Sequence, residues 1–135
     1  MVNISIEYTG QLHCDAVHGP SKAKIETDAP ADNQGKGEAF SPTDLVETAL
    51  GTCIATTMAI VAERHGVELK GMKVTVAKEM ASDPRRIGRL TTAVHVPLSA
   101  NHPQRGLLEK AAVGCPVHRS LAAEMERPTE FFWKG

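Results

Sequence analysis

Fifteen consecutive residues, Thr48 to Ala62, carry no charge in a chain where 23% of the residues are charged. Start and stop signals bracket this run. Ser41 offers a helix N-cap, Pro42 suits the first helical position, and Asp44 stands three residues past the cap. Leu45, Ala49, Cys53 and Val61 share one stripe, and Val46, Leu50, Ile54 and Met58 share the next. Arg64 and His65 place positive charge in the last turn, and Gly66 is a natural C′ residue. The pattern predicts a helix over Ser41–His65, buried on nearly all sides. An uncharged run of this length falls short of the roughly 20 residues that span a bilayer. Gly51, Thr52, Thr56 and Thr57 interrupt it further, so a core helix is expected and a membrane span is not.

The segments around the helix have a period of two. Val2, Ile4, Ile6 and Tyr8 alternate with polar residues, and Leu12 to Val17 and Lys22 to Thr27, with Ala23 and Ile25 inward, continue an antiparallel meander. Asp28 to Phe40 is a long Gly/Asp/Asn/Pro loop. After the helix, Val67 to Met80 and Ile87 to Pro97 read as a hairpin turning at Ser82-Asp83-Pro84. Helices are expected over His102–Val113 and from Pro116 to about Glu126, and a last strand over Thr129–Trp133. The order βββ-α-ββ-α-α-β is an α+β pattern, and 135 residues make one domain, 1–135. A net charge of −1 and only five aromatic residues argue against a nucleic-acid partner. Met1 to Tyr8 shows neither a basic n-region nor an apolar h-region, so a cytoplasmic protein is expected.

Three widely spaced cysteines do not make a disulfide framework. Cys115 precedes Pro116 and so falls at a helix N-cap, where free N–H groups and the helix dipole favour thiolate; His118 and Arg119 stand close in sequence. By local sequence it is the more acidic thiol. Cys53, inside the apolar helix, reads by itself as a core residue. Its flanks are unusual. Gly51 costs about 1 kcal/mol of helix propensity, which close approach of another element would offset, and three threonines surround the thiol. Cys14 reads as structural. His13-Cys14 with Cys115 and His118 are the residues that could assemble a metal site, but no C-x-x-C pair exists, and neither a metal nor a cofactor is expected. Gly35-Lys36-Gly37 lacks a phosphate-loop pattern, and Arg85, Arg86 and Arg89 read as a solvated face.

Two segments stand out as a pair: Ser41-Pro-Thr-Asp-Leu-Val-Glu-Thr-Ala-Leu-Gly-Thr-Cys53 and Leu108-Glu-Lys-Ala-Ala-Val-Gly-Cys115-Pro-Val-His118. Together they resemble the OsmC/Ohr family, the OsmC-like branch more than the Ohr branch. His18-Gly-Pro-Ser21, Thr27-Asp-Ala-Pro30 and Phe131-Phe-Trp133 support the resemblance. It implies an intertwined α+β homodimer: N-terminal antiparallel strands, a long central helix, a second β-hairpin, two shorter helices, and active sites at the dimer interface. It also implies a thiol peroxidase for organic hydroperoxides. Cys53 would attack the peroxide and become a sulfenic acid, Cys115 would resolve it as a disulfide, and a dithiol such as a lipoyl group would reduce that.

The chain departs from the family pattern in two places. Family peroxidases use an N-terminal arginine to stabilise the thiolate, whereas here no arginine precedes Arg64. They also place a glutamate directly after the helix-opening proline, where this chain has Thr43 followed by Asp44. Lys22, Lys24, His13 and His18 are the residues available in the arginine's place. The missing pair keeps a non-enzymatic alternative open, in which the interface pocket binds a small apolar or thiol-bearing ligand. Persulfide chemistry is a third reading.

Overall fold

Alternating side chains build the N-terminal part of the molecule. The computed structural model describes all 135 residues, which divide into two compact units, Met1–Val46 and Glu47–Gly135. In the first unit β1 (Ile4–Gly10), β2 (His13–His18) and β3 (Lys24–Asp28) form an antiparallel sheet in that order. The register sets Ile6 against Ala16 and Ala16 against Ile25, and likewise Tyr8 against Cys14 and Cys14 against Thr27. Because side chains alternate across a strand, these residues share one face. Glu7, Asp15 and Glu26 form a row on the other, beside His13 and Asp28. The expected inward placement of Ala23 and Ile25 is not met. Ala23 is exposed, and Ile4, Ile6, Tyr8 and Ile25 keep 49, 68, 62 and 50% of their surface open.

The long loop after β3 folds back on itself around a 3₁₀ turn at Ala31–Asn33. The Asp28 N–H donates to the Phe40 carbonyl at 3.1 Å, and the Gly35 N–H to that of Pro30 at 3.0 Å. Gly35 is required there: a Cβ would lie 1.8 Å from the Ala29 carbonyl oxygen.

Helix α1 (Pro42–Arg64) opens with the reciprocal cap that its sequence predicts. The Ser41 N–H donates to Asp44 Oδ2 at 2.9 Å, and the Asp44 N–H to Ser41 Oγ at 3.1 Å. Its burial is narrower than expected. Leu50, Ile54, Met58 and Ala62 form one buried i, i+4 stripe with Gly51 beside it, whereas Thr48, Thr52, Thr56, Ile60 and Arg64 form an exposed stripe. By length and composition alone α1 is long and apolar enough to cross a membrane, which the uncharged run by itself understates.

In the second unit β4 (Lys73–Ala81) and β5 (Arg86–Ser99) pair antiparallel, and β6 (Thr129–Lys134) joins the far side of β5 in parallel. Leu90, Val94 and Val96 of β5, with Leu108 and Ala112 of α2 (Arg105–Val113), complete the core around the α1 stripe. Helix α3 spans only Pro116–Ser120, not the expected run to Glu126. Sheet pairing overrides the helical signal. The Glu126 N–H donates to the Gly88 carbonyl at 3.0 Å, while the Leu90 and Thr92 N–H groups donate to the Glu126 and Pro128 carbonyls at 2.9 and 3.0 Å. This pairing leads straight into β6.

Packing through one stripe of α1 makes a sharp forecast. Ile54→Ala removes a fully buried side chain and should cost about 2–5 kcal/mol, whereas Thr52→Ala on the exposed stripe should stay within about 0.5 kcal/mol. Equal losses in chemical denaturation would show that α1 does not pack this way.

Candidate active site

Cys53 and Cys115 are the two residues that the sequence singles out for chemistry, and the second unit brings them side by side. Cys53 rides on α1, half-buried, with its Sγ 3.9 Å from Thr57 Oγ1 one turn on. What sets its depth is Gly51. A Cβ at Gly51 would lie 3.0 Å from Cγ2 of Val76 and 3.6 Å from Cγ1 of Val74, so β4 lies tight against the helix two residues before the thiol. The close approach that the glycine implied is therefore present. Of the surrounding threonines only Thr57 reaches the sulfur, because Thr52 Oγ1 turns back to the Thr48 carbonyl at 2.8 Å and Thr56 is exposed.

Cys115 occupies the N-cap of α3, in extended conformation with Pro116 at the first helical position. Its Sγ accepts a hydrogen bond from the His118 N–H at 3.3 Å, as a capping residue does. Its side chain is fully buried, within hydrogen-bonding reach of Cys53. The expectation that this is the more acidic thiol is corrected on a physical ground. Burial pushes the Cys115 thiol up from its ordinary range, and the neighbouring Cys53 adds to the rise. The His118 and Val117 amides pull the other way and do not win. Neither nearby cation compensates. Arg119 Nε donates to the Gly114 carbonyl at 3.0 Å. Burial, with Arg127 nearby, pushes the His118 imidazole down and favours its neutral form.

Arg127 is the residue near this site that sequence reasoning passed over. Its Nη1 donates to the Ala122 and Met125 carbonyls at 2.6 and 3.2 Å, holding the segment that follows α3. Its only signal in the sequence is the Arg127-Pro128 pair, which ends the expected helix. Buried without a hydrogen-bond partner are His118 Nε2 and Arg127 Nε, together with the hydroxyls of Thr92 and Thr129.

The remaining candidates lie in the first unit. Cys14 sits on β2 between Tyr8 and Thr27, half-buried. His13 is its chain neighbour on the same strand, so the two side chains point to opposite faces and do not chelate one ion together. His13 is instead engaged by carboxylates, with Nδ1 2.6 Å from Asp28 Oδ1. Its partners push the imidazole up, and the same contact holds the Asp28 carboxyl below its ordinary range. His18 Nδ1 lies 2.6 Å from Ser21 Oγ.

With this geometry in place, the relationships to known proteins are clear. The model of the OsmC-like protein family matches residues 35–127, more than half of the chain. The chain belongs to the OsmC-like family. A Psychrobacter arcticus protein, assigned by name to osmotic stress induction and the detoxification response, is 35% identical and superposes with a TM-score of 0.90, covering 99% of this chain and 96% of that one. The organic hydroperoxide resistance protein OsmC of Legionella pneumophila is 16% identical, with a TM-score of 0.74 and coverage of 98% and 96%. An organic hydroperoxide resistance protein of Elizabethkingia anophelis is 14% identical, with a TM-score of 0.79 and coverage of 99% and 96%. These last two similarities establish the α+β fold. No curated protein sequence matches the chain.

Exposure orders the accessibility of the pair. Iodoacetamide should label half-exposed Cys53 in the native protein and reach Cys115 only after denaturation, as read by peptide mass mapping. The raised pKa also sets a sign. Stability from the buried neutral Cys115 is complete below the ordinary thiol pKa, near 8.5. It is lost as pH rises past that value toward the higher native one. Cys115→Ala should flatten this alkaline loss. An equally steep loss in the variant would place the effect elsewhere.

Proposed function

We propose that this OsmC-like protein is a cytoplasmic thiol peroxidase that reduces organic hydroperoxides through Cys53 and Cys115. The observation that carries the reading is the contact of one half-exposed thiol with one fully buried thiol. The first is accessible to a substrate. The second is shielded from external oxidant and placed to capture what forms on the first.

The chemistry closes in three steps. The Cys53 thiolate attacks the O–O bond of ROOH, giving Cys53 sulfenic acid and, after protonation of the leaving alkoxide, ROH. The Cys115 sulfur then attacks the sulfenic sulfur, forming the disulfide and releasing water. A dithiol of lipoyl type returns both cysteines to thiols and leaves as its own disulfide. A neutral Cys115 does not compete with Cys53 for the peroxide in the first step. In the second it gives up its proton as it attacks the sulfenic sulfur, so that the sulfenic oxygen leaves as water. An apolar helix beside the reacting sulfur favours a peroxide with an apolar tail over hydrogen peroxide.

We also propose a homodimer. The apolar face of the N-terminal sheet, with Ile4, Ile6, Tyr8 and Ile25 each 49% exposed or more, is a surface that a second copy would cover. Light scattering should give about twice the 14.5 kDa chain mass, and Ile6→Asp should shift the protein toward the monomer. A monomeric wild type would sink the dimer.

A second reading has a specific observation behind it. With no arginine before Arg64, a pocket at the proposed dimer interface could bind a small apolar or thiol-bearing ligand without turnover. Intact mass and thiol mapping after one equivalent of cumene hydroperoxide separates the two. The peroxidase should lose the mass of two hydrogen atoms through a Cys53–Cys115 disulfide, faster than with hydrogen peroxide, and Cys53→Ser should abolish peroxide consumption. Thiols that stay reduced while peroxide persists would overturn the peroxidase reading in favour of ligand binding.

A further inference from the structure

The polar face of the N-terminal sheet carries an arrangement that the thiol chemistry does not use. In register, Glu7 stands opposite Asp15 and Asp15 opposite Glu26. Like charges directly opposite across strands destabilise a sheet. His13 lies at the end of this row with its Nε2 3.3 Å from Asp15 Oδ1 and 3.1 Å from Glu26 Oε1. Its other nitrogen, Nδ1, is 2.6 Å from Oδ1 of the buried Asp28. Asp28 is itself fixed, since its Oδ2 accepts the Glu38 N–H at 3.1 Å. A carboxylate bonded to Nδ1 places the ring hydrogen there. The lone pair of Nε2 then points at two carboxylates, an arrangement that requires a positive species at that spot.

We propose that His13, Asp15 and Glu26 bind a first-row divalent cation of the zinc or manganese type, with Asp28 orienting the imidazole. Four observations carry this. The ligand atoms of the three residues lie within 4.8 Å of one another. Two ligands each about 2.0–2.1 Å from zinc at the tetrahedral angle are about 3.3–3.4 Å apart, and the two His13 Nε2 distances are close to that edge length. The Asp28–His13 contact reproduces the carboxylate–imidazole support that fixes the tautomer of metal-bound histidines. His13 and Glu26 also border a cavity of about 470 Å³, shared with Asp28, Lys36 and Glu38, which leaves room for water at the remaining coordination positions. One imidazole with two carboxylates suits zinc or manganese better than calcium or magnesium, whose sites are all-oxygen. The alternative occupant of Nε2 is a proton, which gives an ion-paired imidazolium and no metal.

The test uses the full chain with Cys53 and Cys115 replaced by serine, so that thiols do not supply the ligands. Manganese is titrated with the free ion followed by electron paramagnetic resonance, and cobalt is titrated with visible absorption. One equivalent should bind per chain. Affinity should fall at least tenfold in Glu26→Gln, which leaves the His13–Asp28 pair intact and so keeps the sheet folded. Asp28→Asn should weaken binding by about 10–100-fold, as loss of an orienting carboxylate does. Calcium and magnesium should not compete. Absence of saturable binding would overturn the proposal and assign the spot to a proton. So would affinity unchanged in Glu26→Gln, or a thiolate-to-cobalt absorption band from Cys14.

Discussion

The seating of α1 against β4 is the constraint on which the second unit depends. A glycine at position 51 removes the one side chain that would hold helix and strand apart, and Val74 and Val76 fill the space up to the backbone. Leu50, Ile54, Met58 and Ala62 then bury one stripe completely. Cys53 is two residues along from Gly51, at the margin of that stripe, so its half-exposure follows from how the helix is seated. A side chain at 51 would press its Cβ on the Val76 methyl, and either that valine or the helix carrying the thiol would have to give way. The lost helix propensity of glycine is thereby tied to the geometry of the Cys53–Cys115 pair.

Two opposing electrostatic influences meet at Cys115. Helix N-termini favour anions, and the His118 N–H does reach the sulfur. The helix that supplies this influence is five residues long, and the sulfur it faces is fully out of water. Desolvation of a full thiolate charge exceeds what a short helix and the His118 and Val117 amides return. The nearby cations do not tip the balance. Arg119 is occupied by a backbone carbonyl, and burial favours a neutral His118. The two cysteines therefore differ in exposure, which suits a pair with divided roles.

The N-terminal sheet separates its chemistry by face. Ile4, Ile6, Tyr8, Ala16 and Ile25 give one apolar side, while Glu7, His13, Asp15, Glu26 and Asp28 give the other. Period-two alternation in three short strands produces this division without any help from the rest of the chain. The loop after β3 adds to the polar side, because the Glu38 amide binds the carboxylate that holds His13.

By itself the sequence determined a good deal. The reciprocal Ser41–Asp44 cap, the length of α1, the order of strands and helices, the hairpin and the cap position of Cys115 are all local matters, set by neighbours within a few residues. The motif around Cys53 and Cys115 was legible for the same reason. Only the tertiary structure decided which stripe of α1 is buried, because the two apolar stripes look alike until β4 and β5 pack against one of them. It also decided that residues 122–128 leave the helix, since their partners are the backbone groups of Gly88, Leu90 and Thr92, more than thirty residues away. The direction of the Cys115 shift was beyond local reading because desolvation depends on everything packed around the sulfur. The clustering of His13 with Asp15, Glu26 and Asp28 was likewise invisible along the chain, because strand register, and not sequence distance, sets which side chains meet.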